Sequence, residues 1–305
     1  MDVVSRRIFL TDLVKMDFPQ SVLEEVKSTL SLMQLDFDYD WFGRVFRDVV
    51  LLFNGNYPGF RRCSTRYHDL KHTTDVLLAM TRLLHGAISA GEVIAGEQVM
   101  LGLMGALFHD TGFLQRDGDE EGTGAKYTMV HVDRAIEFAA EYFDRNALDA
   151  GSLAFCQEII RCTDRDENRE CRCSSRASEL VGKLLGTADL LGQVADRTYL
   201  EKLLLLFQEF SEVQMPGCAS ELELLVNTLD FYAEAQYRME TELGDVRRYM
   251  VRHFRERWAI DADLYQESIE SNIAYLRYLL EHHRHDYRDR LRRGGIVKSI
   301  PPQEC

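Results

Sequence analysis

Proline is almost missing from this chain: five are spread over 305 residues, beside twenty glycines. So few helix breakers exclude a loop-rich or low-complexity protein and leave long stretches free to run as helix. Alternating runs of Val, Ile and Thr are scarce as well, whereas segments rich in Leu, Ala, Glu, Arg and Met place apolar residues three and four apart. The expected fold class is all-α. No apolar run approaches the roughly 18 residues of a membrane span, and no basic stretch followed by a long apolar one opens the sequence as a signal peptide would. Cysteine is sparse, odd in number and irregularly placed, at Cys63, Cys156, Cys162, Cys171, Cys173, Cys218 and Cys305. That pattern argues against a secreted disulfide framework and for a cytoplasmic protein. Cys162, Cys171 and Cys173 raise thiolate zinc, but Cys-x-Cys among Asp, Glu and Arg reads better as a solvated loop. Positive charge is also in deficit, with 36 Lys and Arg against 50 Asp and Glu for a net −14. Nucleic acid and anionic membranes are therefore not expected partners. A small anionic substrate stays compatible if metal ions supply local positive charge.

A chain of this length can bury a substantial core. Helices are expected at about 20–35, 39–53, 69–89, 96–109, 128–145, 151–163, 177–194, 196–211, 220–243 and 262–292. The helix at 96–109 is apolar almost all round, which marks a buried central helix that delivers its last residues into a cavity. Residues 115–126 mix glycine and acidic residues and read as a mobile loop beside that helix end. No internal repeat is present, and the chain from Gly294 through Pro301-Pro302 has the composition of a frayed tail. The organisation expected is an N-terminal helical cap over 1–60, a core over 61–215, and C-terminal helices over 216–305 that complete the same domain. The outer helices could offer a homodimer face, although no heptad run argues for one.

The chemistry-bearing residues fall in short clusters. Tyr67-His68-Asp69-Leu70-Lys71-His72 opens one helix, Ala106-Leu107-Phe108-His109-Asp110 closes another, and Asp189 stands within Gly186-Thr187-Ala188-Asp189-Leu190. Imidazole nitrogens and carboxylate oxygens together suit Zn, Mn, Fe or Mg. His72, His109, Asp110 and Asp189 would give four ligands from three helices, with water in the remaining positions, its pKa lowered by the metal. A His-Asp dipeptide alone says little. This chain repeats it at His285-Asp286, on a polar helix end where basic residues are better explained as favourable charge near a C-terminus. His85 and His253 carry no stronger signal.

Taken together, Tyr67-His68, His72-Thr73-Thr74-Asp75-Val76, Ala106 to Asp110, Ile159-Ile160-Arg161-Cys162-Thr163-Asp164, Ala188-Asp189-Leu190 and Gln208-Glu209-Phe210 resemble the catalytic domain of the 3′,5′-cyclic nucleotide phosphodiesterases, within the HD superfamily of metal-dependent phosphohydrolases. The resemblance covers about residues 60 to 212, in the same order. It implies a compact HD-like helical domain that hydrolyses a nucleotide phosphodiester, a 3′,5′-cyclic nucleotide first of all, by metal-activated hydroxide. By the same resemblance His72, His109, Asp110 and Asp189 would hold one tight divalent ion, and Asp110 would bridge to a second. His68 would be the general acid, four residues before His72 on the same face of the helix start. Asp75 would orient a ligand or the acid, His131 would contact phosphate or bound water, and Asp164 belongs to the same outer set.

Departures from that pattern bear on the second metal and on the base. Phe113 and Thr128 stand where the family has a histidine and a glutamate that support the second ion, which leaves Asp117, Asp119, Glu120 or Glu121 to replace them. No histidine follows Asp164. The glutamine and phenylalanine that clamp the purine have no clear counterpart in 213–280, where Phe231, Tyr232, Gln236 and Tyr237 read as an ordinary amphipathic helix. Two alternatives therefore stand beside the cyclic nucleotide enzyme. One is an HD-domain phosphatase of another nucleotide-like phosphoester, and the other is a catalytically weak, metal-bearing binding protein.

Overall fold

Helices form here where the sequence supplies a cap and an apolar face. The computed structural model describes residues 8–165 and 172–301. In order it contains α1 (Leu10–Leu13), α2 (Pro19–Leu32), α3 (Tyr39–Phe53), α4 (Leu70–Ser89), α5 (Gly96–Phe108), α6 (His131–Arg145), α7 (Ala150–Arg161), α8 (Arg176–Val194), α9 (Tyr199–Glu212), α10 (Glu221–Glu240), α11 (Tyr249–Trp258), α12 (Leu264–His282) and α13 (Tyr287–Arg290). Among the described residues there is no strand, only an isolated bridge between Phe60 and Arg116. The fold is all-α, and no described helix is long and apolar enough to cross a membrane. Asp38, Asp69, Asp149, Ser175, Ser220 and Asp263 start α3, α4, α7, α8, α10 and α12, each accepting a backbone N–H of the first turn and so satisfying donors the helix itself leaves free.

The centre of the molecule is α4, with α5 beside it, buried from Val99 to Phe108 as its apolar sequence predicts. Residues His72 to Ala87 are all buried, because α2, α5, α8 and α11 pack around them. Two glycines permit the closest approaches. A Cβ on Gly86 would lie 2.0 Å from the Tyr249 carbonyl oxygen, and one on Gly192 would lie 2.9 Å from Val76 Cγ2. The buried apolar cluster runs without a break from Leu10 to Ile300 and includes Val22, Val26, Phe42 and Val45 of the N-terminal helices. Each fully buried side chain of this kind contributes roughly 1.5–3 kcal/mol.

Several expectations change on this frame. The helix α11 was not legible, since Tyr249-Met250-Val251-Arg252-His253-Phe254 is mostly polar, yet Tyr249, Met250, His253 and Phe254 form its buried side. The stretch 262–292 divides into α12 and α13, because the polar run from His283 to Asp286 offers no apolar face to continue on. The tail is not frayed up to residue 301: Glu201 accepts the N–H groups of Gly294 and Ile296 at 2.6 and 2.9 Å, and Val297 and Ile300 are buried. Residues 115–126 are tied down as well. The Gln115 amide donates to the carbonyls of Asp119, Glu121 and Gly122, and Glu212 accepts from the Thr123 N–H and hydroxyl. Cys162 is disulfide-bonded, while Cys171 lies outside the described residues, as does Cys305.

A polar seam runs through the back of α4. Arg82 is fully buried, donates to the Tyr265 hydroxyl at 3.0 Å and sits 5.5 Å from the centres of the Phe254 and Tyr265 rings. His253 Nδ1 lies 3.2 Å from His85 Nδ1. Burial, with Arg82, His85 and Arg257 nearby, pushes the His253 imidazole down to about 2. The unfolded imidazole takes up a proton below about pH 6.5 while the folded one stays neutral, so stability present above that pH is lost as pH falls. The loss attributable to His253 between pH 6.5 and 5 is at most about 2 kcal/mol. In urea titrations the midpoint of the native protein is expected to drop over this range, and His253→Leu should flatten the drop. Parallel pH profiles in the two proteins would remove His253 as the cause.

Candidate metal centre

The end of α5 and the start of α4 meet at one place, and local backbone chemistry explains what each presents. Asp69 caps α4 by accepting the His72 N–H at 2.9 Å, which puts His72 in the first turn with its ring directed inward. His109 ends α5, its N–H still bonded to Gly105, and the chain then tightens into a single 3₁₀ turn over Thr111–Phe113. That change of winding turns His109 and Asp110 toward the same point. A Cβ on Gly112 in this turn would lie 1.8 Å from the His131 carbonyl oxygen, so the start of α6 is seated directly on it. Asp189 comes from the middle of α8, where Gln193 one turn later donates its amide to Asp189 Oδ1 at 2.9 Å.

The resulting cluster is small and dry. His72 Nε2 is 3.2 Å from Asp110 Oδ2 and 3.3 Å from Asp189 Oδ1. His109 Nε2 is 3.4 Å from Asp110 Oδ2, 3.7 Å from Asp189 Oδ1 and 3.4 Å from His72 Nε2. All four residues are buried. The tightest group is His72, His109 and Asp110, with Asp189 reaching both imidazoles. Donor atoms about 2.0–2.2 Å from one ion stand roughly 3–3.6 Å apart in tetrahedral or octahedral geometry, which is the spacing found.

Proton chemistry explains why a cation suits this place. His109 Nδ1 lies 2.9 Å from the Ala106 carbonyl, which can only accept, so Nδ1 carries the hydrogen and Nε2 offers a lone pair to the cluster. Asp110 Oδ2 is buried without a hydrogen-bond partner, an arrangement costly for a carboxylate oxygen unless a cation meets it. Burial opposes charge on each group, but the histidine–carboxylate contacts prevail. Asp110 and Asp189 lift His72 to about 10 and also raise His109, while the two imidazoles hold Asp110 well below the usual carboxylate range and lower Asp189. A proton and a metal ion compete for the same lone pairs. The donor set of two imidazoles and two carboxylates fits a divalent ion of the Zn, Mn, Fe or Mg type.

His68 is not on the helix, contrary to expectation: it lies in the bend that precedes α4. Glu209 of α9 holds it there. Oε2 is 2.7 Å from His68 Nδ1, and Oε1 accepts the N–H groups of Arg66 and Tyr67 at 2.8 and 2.6 Å. A carboxylate accepts, so Nδ1 bears the hydrogen and Nε2 is left facing away from Glu209. The other face of the ring stacks on Phe113 at 4.2 Å and 13°, and Phe113 stacks in turn on His131 at 4.5 Å and 21°. His131 Nδ1 lies 2.7 Å from the Thr128 carbonyl, and burial lowers the pKa of this imidazole.

The remaining candidates divide. Asp75 faces the other way, holding Lys71 at 2.6 Å, with burial raising its carboxyl to about 6. It therefore contacts neither His68 nor a ligand histidine through its hydrogen bonds. Asp164 ends the α7 segment, where its backbone carbonyl and that of Cys162 both accept from Arg238. The loop acids do not join the cluster among the described residues: Asp119 is occupied by Lys126 and Tyr127. His285 is largely exposed and Asp286 is paired with His283 and Arg290. On α10, Tyr237 is exposed and Phe231 lies under the Arg165 guanidinium at 4.4 Å. Sequence reasoning gave no role to Gln193 or to Phe113 as a stacking surface, and only the i, i+4 spacing of Asp189 and Gln193 could have signalled the former.

Two measurements check this geometry. Calorimetric titration with Zn or Mn in buffers of different ionisation enthalpy should show proton release on binding, and Asp110→Asn should weaken binding by about tenfold or more. Binding without proton release, or unchanged in Asp110→Asn, would place the ion elsewhere. In NMR spectra the ring protons of His68 and His131 should lie upfield because of Phe113, and Phe113→Leu should return both to ordinary positions.

Residues 58–242 match the family described as Npun_R2479-like, a span that contains every residue of the cluster, His68, Phe113, His131 and Glu209. No curated protein matches the chain, and no solved structure does. By the extent of that match, the chain belongs to the Npun_R2479-like family.

Proposed function

We propose that the protein is a metal-dependent phosphohydrolase, with a 3′,5′-cyclic nucleotide as the first substrate class to try. The observation that carries this reading is the buried His72, His109, Asp110 and Asp189 cluster, with Asp110 Oδ2 unpartnered and an oriented imidazole, His68, beside it. A divalent ion held by those four side chains would supply Lewis acidity and a water of lowered pKa. The rest falls to the chain. Glu209 accepts from His68 Nδ1–H, and Phe113 fixes the ring plane, so the protonated imidazolium of His68 would give its Nε2 proton to the oxygen that leaves phosphorus as the P–O bond breaks, ending as the neutral ring with hydrogen on Nδ1. His131, neutral by burial, presents Nε2 as an acceptor on the far side of the stack. Free thiols at Cys63, Cys156 and Cys218 support a cytoplasmic enzyme despite the disulfide at Cys162.

Only one ion is needed in this reading. Phe113 fills the space between His68 and His131, Asp119 is engaged by Lys126 and Tyr127, and no loop acid joins the cluster among the described residues, so the chain offers four side chains to a first ion and Asp110 alone to a second. A second reading, a metal-bearing binding protein, is favoured by the low exposure of the cluster, where His109 is 1% and Asp189 8% accessible.

The test is chromatographic detection of product from cyclic AMP, cyclic GMP, an aryl phosphodiester and an aryl phosphomonoester, with Mn or Mg. Asp110→Ala is expected to lose metal and turnover together. His68→Ala should retain the metal and lose about two to four powers of ten in rate. Cleavage of the monoester alone would identify a phosphatase, and no cleavage by fully metal-loaded protein would favour the binding reading.

A further inference from the structure

A cavity of about 1500 Å³ lies away from the His72, His109, Asp110 and Asp189 cluster. None of His72, His109, Asp110 and Asp189 lines it. It lies on the opposite side of the segment Arg66 to Lys71, between the N-terminal segment from Ile8 to Phe18 and residues of α9, α12 and the chain after α13. Its charge runs against that of the whole chain. Seven Lys and Arg face five Asp and Glu in its lining, whereas acids outnumber bases 50 to 36 overall. An excess of two positive charges remains once internal pairs are removed, with Asp12, Asp17 and Glu267 as the remaining acids of the lining. Asp196 is taken up by Lys71 and Lys202 at 3.4 and 2.7 Å, and Asp69 is taken up by the start of α4. Lys15, Arg62, Arg66, Arg197 and Arg293 have no carboxylate partner among the described residues. The Arg66 guanidinium bonds to Gln208 and Ser299, and that of Arg293 to the Asn272 amide oxygen.

A second feature of the same cavity points to the shape of its ligand. Ile8, Phe9 and Phe18 line it and are 40, 49 and 60% exposed, an apolar wall that water covers at a free-energy cost. Cations that make no ion pair, in net excess beside an exposed apolar wall, match a molecule with an apolar body and an anionic end.

We propose that this cleft binds a small organic anion of that kind, an apolar body bearing a phosphate, sulfonate or carboxylate, at a site separate from the metal centre. The test uses the fluorescent anion anilinonaphthalene sulfonate on the full chain, with its uncharged relative phenylnaphthylamine as control and dodecyl phosphate, below its micelle concentration, as competitor. Saturable binding of the anion is expected, displaced by dodecyl phosphate and weakened by salt. Arg62→Glu with Arg197→Glu should weaken it by at least about tenfold, and Phe18→Ser should weaken both dyes. These side chains are exposed, so the fold should tolerate them, and circular dichroism checks that it does. Asp110→Ala should bind the dye as the native chain does, which separates this proposal from the metal reading. Equal affinity for the uncharged dye, or indifference to the charge reversals, would overturn it. Flotation with phosphatidylglycerol vesicles but not phosphatidylcholine vesicles, without displacement of dye by dodecyl phosphate, would overturn it in favour of a membrane surface.

Discussion

Two carboxylates and two imidazoles whose ligand atoms meet at 3.2–3.7 Å in a buried spot are an electrostatic constraint that the rest of the molecule must satisfy. Left to themselves, acceptor atoms so close and so dry repel one another, and only protons or a metal ion can hold them together. The fold answers with three helices that deliver the atoms from fixed places: the first turn of α4, the last of α5 and the middle of α8. None of the three can shift alone, because Gly192 seats α8 on Val76 of α4 and the Gly112 turn seats α6 against the end of α5.

The central position of α4 follows from this. It carries His72 at its start and, at its back, Arg82 and His85, the latter meeting His253 of α11, so polar groups enter the core at both ends of one helix. A core of this kind is held in register by specific pairs rather than by apolar area alone. Arg82 is buried over Phe254 and Tyr265, and this fixes α11 and α12 relative to α4, even though α11 contributes few apolar residues.

The parts of the structure legible in the sequence are those in which local chemistry and burial agree. Helices α3, α4, α5 and α8 have strong caps or uninterrupted apolar character, and their bounds could be read to within a residue or two. The residues of the buried cluster were legible because His109-Asp110 ends an apolar helix and Asp189 interrupts another, places where a carboxylate needs a reason. Helix α11 was not legible, because its buried face includes a histidine and two aromatics scattered among arginines, and its burial comes from Gly86 accepting Tyr249. Nor was the anchoring of the 115–126 segment and the tail, which depends on single carboxylates, Glu212 and Glu201, distant in sequence. The same holds for Asp75, whose spacing from His72 suggested a supporting role but whose side chain turns to Lys71.

Glu209 ties these layers together. One oxygen takes two successive backbone N–H groups, Arg66 and Tyr67, and the other takes the His68 ring. A carboxylate pinned by three donors has little freedom left, so the orientation of His68 is inherited from the path of the backbone at 66–67. The same segment, from Arg66 to Lys71, also lines the large cleft, and Arg66 projects to that side. One carboxylate thus fixes both the path of the backbone at 66–67 and the plane of the His68 ring, so a charge on α9 sets the geometry of a segment more than 140 residues earlier in the sequence.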